Sequence, residues 1–389
     1  MKRSDFPAPN GRFSKNSDGD LTFIPNRIIR DIEGLYSSEI VSLLSKADRM
    51  LGSLDRCSQS DPNIDFLVAP YIRLEAVASS RIEGTQTTLT DYYKLEAEKK
   101  GEHDPDYIEV NNYIKTMMAG FERVIGGQKI DLPFVKSLHK TLVAGSERTK
   151  GVPGHVRTKQ NWIAPMNSPI ELATYVPPDP IKLEPLLKDM QGFILKDDDI
   201  PPLIKTALIH YQFEAIHPFE DGNGRVGRII NSLYLGQAGC LHSPILFLSF
   251  YFQKHRDEYW ARLLRTSQQS DFDGWLRFFL KGIIEQSQRS IELSNKIEGL
   301  HTSYQERLEK KRVTATTLKA LRLLFTGNPF VYMTELAREL DVHLPTAKKA
   351  ITQLEKEGIL KQSKVKKPAI YFAPEIIDTL RKAEKEMLK

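Results

Sequence analysis

Between about Ile29 and Leu300 the apolar residues recur at helical intervals, except in one stretch that proline and glycine exclude from any helix. That stretch, GVPGHVRTKQNWIAPMNSPIELATYVPPDP at 151–180, holds short extended runs at Asn161–Ala164 and Leu172–Val176. Proline removes a backbone donor and pushes its predecessor toward extended backbone. The pattern therefore predicts a β-hairpin or flap inserted in a helical body. Helices are expected from about 29 to 55 and from 66 to 83, the second stopped by Gly84. More follow at 105–125, 132–144, 181–196, 201–215, 224–239, 250–268 and 271–300. The first twenty residues, rich in Pro, Asn, Ser, Asp and Gly, read as a loose arm.

Beyond a polar segment at 303–312 the pattern changes. Helices at 316–325, 334–341 and 345–357, with Gly358 as a stop, precede ILKQSKVKKPAIYFAP, which alternates around a basic turn and reads as a two-stranded wing. Three helices and a hairpin in this order predict a winged helix-turn-helix; a small helical interaction domain is the alternative. The expected fold class is mainly α, with the flap in the body and the winged domain behind it. Expected units are 1–110, 111–300 and 301–389.

Charge separates the same parts. Residues 311–389 carry 16 Lys and Arg against 9 Asp and Glu, a balance of +7, which leaves −2 for the rest of the +5 chain. A basic terminal unit suits an anionic partner. The longest strongly apolar run, Ile245–Phe252, is far below the roughly 20 residues of a membrane span, so no membrane partner is expected. The N-terminus has basic residues without an apolar segment behind them, unlike a secretory signal. Cys57 and Cys240 are the two cysteines, which excludes a disulfide scaffold and a thiolate zinc site. The expected compartment is cytoplasmic.

The chemistry concentrates in His217-Pro-Phe-Glu-Asp-Gly-Asn-Gly-Arg-Val-Gly-Arg228. Pro218 forces a turn, Gly222-Asn223-Gly224 forms a loop, and helical spacing resumes at Arg225. Backbone N–H groups at such a helix start make a phosphate nest. Arg225 and Arg228, three apart, can grip a polyphosphate with forked bonds. Asp221 is a hard oxygen ligand for Mg²⁺, and His217 can act as a general base. A plain loop with solvated arginines fits the same residues. Physics alone leaves the two readings level.

This stretch matches HxFx(D/E)GNGRxxR, the Fic family signature, at His217, Phe219, Asp221, Gly222, Asn223, Gly224, Arg225 and Arg228. The flanking segments GVPGHVR, NWIAP…ATYVPP and LFLSFYFQKHRDEYWARL also resemble the family, over about residues 60–300. The resemblance implies AMP transfer from ATP to a Ser, Thr or Tyr hydroxyl of a target protein, with release of pyrophosphate. His217 would deprotonate that hydroxyl and Asp221 would hold Mg²⁺ on the α- and β-phosphates. Gly222, Asn223, Gly224, Arg225, Val226, Gly227 and Arg228 would bind ATP. Asn223 would cradle the α-phosphate, Arg225 the β side and Arg228 the γ-phosphate. Phe219 would anchor the loop in the core. Tyr259 and Trp260 would lie near the adenine, where Trp260 departs from the family's tyrosine. Asn161, Trp162, Ile163, Ala164, Tyr175 and Val176 would form the flap that aligns the target by strand addition.

The resemblance extends to Ser79-Ser-Arg-Ile-Glu83-Gly84, which fits the inhibitory motif (S/T)xxxE(G/N). Locally, Ser80 and Glu83 also fit a helix capping box. The resemblance implies that Glu83 pairs with Arg228 and denies it to the γ-phosphate. Expected partners are a target protein, the chain itself as a substrate, and a second copy in a homodimer. Lys348, Lys349, Lys361, Lys364, Lys366 and Lys367 add DNA, with protein docking as the alternative. Two other functions stay open: a nucleotide-sensing, DNA-binding regulator with little turnover, and an enzyme that removes AMP with Glu83 positioning water.

Overall fold

The computed structural model describes residues 1–28, 33–60, 65–98, 104–164, 168–363 and 369–388. The N-terminal segment is ordered rather than loose. β1 (Gly11–Lys15) and β2 (Leu21–Pro25) form an antiparallel hairpin with Phe13 opposite Phe23. Asn16 Oδ1 accepts the Asp18 and Asp20 N–H groups in the turn, and Gly19 supplies the positive φ of 88°. Burial offsets the turn-rich composition. The Phe6, Phe13 and Phe23 rings lie 5.0–5.6 Å apart, and Phe23 is fully buried against Tyr175.

The body is helical: α1 (Ser38–Ser60), α2 (Asp65–Ile82), α3 (Leu89–Glu98), α4 (Pro105–Ile125), α5 (Leu132–Leu142), α6 (Leu183–Leu195), α7 (Pro202–Ile216) and α8 (Asn223–Gln237). Then come α9 (Leu248–Lys254), α10 (Arg256–Gln269) and α11 (Phe272–Lys310). Among the expected helices, the first begins at Ser38, after a 3-10 turn at Glu33–Leu35; residues 29–32 of that expectation lie outside the described ones. The helix expected at 250–268 is two, because His255 leaves helical geometry. Asp104 and Asp131 cap α4 and α5 through the Tyr107 and Phe134 N–H groups, with prolines in the first turns. Helices α7 and α8 form the centre. Every residue of α7 except Pro202 and Glu214 is buried, as in a helix surrounded by protein.

Residues 151–182 do not form the expected hairpin. One antiparallel bridge, Ile163 to Tyr175, joins two extended arms, with a 3-10 turn at Ile170–Leu172 between them and another at Pro180–Lys182 after them. Pro169, Pro177 and Pro178 supply no N–H for a longer ladder. The base of this insertion is held by the N-terminal hairpin, since Phe23 N–H donates to the Val176 carbonyl.

Residues beyond 310 form α12 (Ala315–Thr326), β3 (Phe330–Tyr332), α13 (Met333–Glu339), α14 (Leu344–Lys356), β4 (Lys361–Gln362), β5 (Ile370–Phe372) and α15 (Pro374–Met387). The antiparallel sheet has the order β3-β5-β4, one strand more than the expected wing. Lys364, Lys366 and Lys367 lie outside the described residues; Lys348, Lys349 and Lys361 are exposed. The expected unit boundaries at 110 and 300 fall inside α4 and α11, which cross them unbroken. No helix among the described residues is long and apolar enough to cross a membrane.

The last helix, unforeseen in the periodicity, returns to α2. Glu384 pairs with Arg81 at 3.1 Å, with 7% and 15% of the side chains exposed, and also accepts the Leu89 N–H. Arg81 Nε donates to Thr87 O, so one ion pair pins both sides of the turn between α2 and α3. Glu384→Ala should cost about 3–5 kcal/mol, since it leaves a buried guanidinium without its counter-ion. Denaturant melts check this, and an unchanged midpoint would contradict it.

Candidate active site

The turn between α7 and α8 starts with a strained residue. His217 caps α7 at φ 50° and ψ 62°, in the left-handed region, while its N–H still donates to Phe213 O. Pro218 disfavours right-handed geometry for the residue before it, so the helix cannot run on. Phe219 then turns inward. Its ring is fully buried and stacks on His139, centroids 3.8 Å apart and planes 1° from parallel. Burying that ring contributes about 2–3 kcal/mol. Asn223 brackets the same residue: its Oδ1 accepts the Phe219 N–H and its Nδ2 donates to the Phe219 carbonyl, both at 2.8 Å. Asn161 Nδ2 donates to that carbonyl at 3.0 Å.

Gly222, at φ 78°, is the N-cap of α8 and has no side chain to cap the N–H groups of the first turn. These donors and the positive helix end suit an anion. Gly222 N–H donates to Asp221 Oδ1 at 2.6 Å, which fixes the carboxylate beside the nest. His139 fixes the backbone from the other side: its Nδ1 accepts the Gly154 N–H and its Nε2 donates to Asp221 O at 3.1 Å.

Both signature arginines are buried and engaged. Arg225 Nη1 lies 2.8 Å from Glu109 Oε2, and its Nη2 lies 3.7 Å from Asp221 Oδ1. Arg228 Nε donates to Ser79 Oγ at 2.8 Å, and its Nη2 donates to Ser79 O at 3.0 Å and to Glu83 Oε1 at 2.6 Å. Burial works against a charged Glu83, but the Arg228 guanidinium outweighs it and holds the carboxyl below its ordinary value. About a third of the Glu83 side chain (37%) remains exposed, so the carboxylate can leave toward solvent. Gly224 makes the approach possible: a Cβ there would stand 2.3 Å from Glu83 Oε1 and 2.9 Å from Arg228 Nη1. Ser80 and Glu83 end α2 rather than begin a helix, which removes the capping-box reading.

His217 Nδ1 lies 3.3 Å from Glu214 O and donates there, which leaves Nε2 as the basic nitrogen. Burial, and then the Arg157 charge, lower the imidazole from 6.5 to about 4, so it is neutral and able to accept a proton at neutral pH. Glu214, beside Arg228 and Glu83, is pushed up to about 8 by burial and is protonated at neutral pH. Of these two carboxyls, Glu83 is the one that faces Arg228 as an anion.

The other expected residues divide. Val226 is buried core, and Gly227 allows contact with Glu214, whose Oε1 would lie 2.5 Å from an added Cβ. The Asn223 side chain braces Phe219. Tyr259 is buried, stacked on Phe252 and hydrogen-bonded to His210 at 2.8 Å, so it is core in this conformation; Trp260 is 47% exposed under the Arg256 guanidinium. In the insertion, Trp162 and Ile163 are exposed and Ala164 is half-buried, whereas Tyr175 and Val176 anchor its base; the Tyr175 hydroxyl donates to Ala215 O. Gly84 takes φ 111°, as the stop after α2 requires. Glu109 and His139 escaped the sequence reading because nothing in their local sequence links them to residues 217–228.

No cluster of three His, Cys, Asp or Glu that could cage a metal occurs among the described residues. Asp221, with 37% of its side chain exposed beside the nest, is nonetheless a donor of the kind Mg²⁺ uses when phosphates supply the remaining oxygens.

Residues 41–122 match the Fic/DOC family N-terminal model and residues 129–235 match the Fic/DOC family model. The chain thus carries a Fic/DOC domain with its N-terminal region. It is 26% identical over 251 residues to the protein adenylyltransferase Fic of Drosophila mojavensis, covering 62% of this chain and 47% of that one. It is 37% identical over 70 residues to a probable protein adenylyltransferase of Aquifex aeolicus, covering 18% and 22%. The chain spans less than half the length of these curated relatives. A crystal structure of a Fic family protein from Desulfovibrio desulfuricans G20 superposes with a TM-score of 0.53 at 19% identity, over 87% of this chain and 96% of that one. That likeness is one of fold.

Asn223→Ala would strand the buried Phe219 N–H and remove one of two donors to its carbonyl. We expect a loss of about 2 kcal/mol of stability. Denaturant unfolding checks it; a change below about 0.5 kcal/mol would mean that the side chain does not hold the loop.

Proposed function

We propose that the chain is an autoinhibited protein adenylyltransferase. ATP binds with its phosphates at the α8 N-terminus, and His217 Nε2 takes the proton of a Ser, Thr or Tyr hydroxyl. The hydroxyl oxygen bonds to the α-phosphorus as the bond to the bridging oxygen breaks, and pyrophosphate leaves. Asp221 would hold Mg²⁺, which neutralises charge on the phosphates. Arg225 and Arg228 steady the outer phosphates once Glu83 has moved away. The observation that carries this reading is one residue, Arg228, shared between the signature helix and Glu83 at 2.6 Å.

The order α12, β3, α13, α14, β4, β5 supports a winged helix-turn-helix reading of the C-terminal unit. The exposed Leu344, Lys348 and Lys349 of α14 favour a docking role toward an anionic partner such as DNA. Self-modification, a homodimer and a cytoplasmic setting belong to the same proposal.

Incubation with α-labelled ATP and Mg²⁺ tests it. Glu83→Gly should raise label on the chain itself or on lysate protein about tenfold or more, which corresponds to a coupling of at least about 1.4 kcal/mol. His217→Ala in that background should lower it by about 10²–10⁴ while ATP binding persists. No label with Glu83→Gly would contradict transfer. Equal rates with and without Glu83 would contradict the brake.

A further inference from the structure

Arg157 is a buried cation with carbonyl partners. Its residue is 3% exposed, and it makes no ion pair with a described residue. Nε donates to His217 O at 2.8 Å, Nη1 to Lys159 O at 3.2 Å and Nη2 to Pro178 O. Its own N–H donates to Pro218 O at 2.9 Å. Burial without a paired carboxylate pulls even a guanidinium down, to about 10, with Asp179 only partly opposing. Such an arrangement is costly to keep for stability alone, because carbonyl dipoles replace hydration less well than a counter-ion does.

Its partners share a geometric relation. His217 O belongs to the left-handed residue at the end of α7, where the helix ladder offers that carbonyl no acceptor role. Lys159 and Pro178 flank the insertion on either side of the Ile163–Tyr175 bridge. Gln160 closes the same base by donating to Pro177 O at 3.0 Å. One planar fork thus ties both arms of the insertion to the peptide that carries the imidazole. Lysine's three donors radiate from one nitrogen and cannot reproduce a planar fork aimed at three carbonyls.

We infer that Arg157 is a positioning residue that sets the His217 imidazole in register with the extended arm of the insertion that carries Ile163. The inference rests on the adenylyl-transfer reading for its catalytic consequence. A target docked on the Ile163 edge would present its hydroxyl to Nε2 at a distance fixed through Arg157, which explains why base and insertion share one anchor. The charged side chains that act on the ring are Arg157, from the base of the insertion, and Glu83, from the end of α2; the first lowers the imidazole and the second raises it.

Two variants separate charge from geometry. Arg157→Lys keeps the cation and loses the fork; Arg157→Gln loses both. In the Glu83→Gly background, self-labelling with α-labelled ATP should fall at least tenfold in each, with ATP affinity within about twofold of the parent. Histidine NMR on the resting protein, with the His217 resonance assigned by its absence in His217→Ala, gives a readout that needs no turnover. The His217 midpoint should stay near the parent's in Arg157→Lys and rise in Arg157→Gln, with burial still holding it below the ordinary value. Labelling within twofold of the parent in the Lys variant, or an unmoved midpoint in the Gln variant, would overturn the inference. If the Glu83→Gly parent itself transfers no label, the transfer reading falls, and the midpoints still decide whether Arg157 acts on His217.

Discussion

A guanidinium with 2% of its side chain exposed must be surrounded by acceptors, and Arg228 finds its own at the end of α2 and on the residue just beyond it. Ser79 supplies a hydroxyl and a carbonyl, and Glu83 supplies the charge. This requirement fixes how α2 lies against α8 and why position 224 carries no side chain. On the proposed function it also makes the site a competition, in which the outer phosphates of a nucleotide and the Glu83 carboxylate would seek the same fork. The Ser79 contacts are neutral and do not compete in charge, so Arg228 can keep its place when its anionic partner changes.

The parts of the chain farthest from the signature brace the two elements that would have to move. The N-terminal hairpin holds the base of the 151–182 insertion through Phe23 and Val176. The C-terminal helix α15 holds the turn after Glu83 through Glu384 and Arg81. Asn328 adds a bond to Tyr93 O at 2.8 Å, and Phe325 packs on Phe66 at 5.7 Å, so the terminal unit lies along α2 and α3. The body is therefore a central helix pair gripped from both ends of the sequence.

Much of this was legible in the order of residues, and the exceptions have physical causes. Apolar spacing marks α4 and α5, which keep exposed residues on one side; α2 and α7 are buried on nearly every side, and polar residues such as Glu75, Lys205 and His210 are buried with the apolar ones. The hairpin at 11–25 was hidden because its stability comes from Phe6, Phe13 and Phe23 packing together and from Phe23 meeting Tyr175, more than 150 residues away. The charged end of α11 reads as a linker, yet Tyr304 and Leu308 bury their faces against the terminal unit. In the site, Glu83 lies against Arg228 and Phe219 is buried. Asn223 lies between two backbone groups and Tyr259 in a ring stack, placements that spacing alone cannot encode. Glu109, His139 and Arg157 carry no local signal, since their partners stand 116, 82 and 60 positions away.

The central claim is that Glu83 and the γ-phosphate exclude one another at Arg228. Crystal structures of the parent chain and of Glu83→Gly, each with Mg²⁺ and a non-hydrolysable ATP analogue, test it most directly. The account predicts γ-phosphate oxygens within hydrogen-bond distance of Arg228 Nη2 in the variant, and in the parent a displaced γ-phosphate with the Glu83 pair intact. The same phosphate position in both structures, with the ion pair unbroken in the parent, would contradict it.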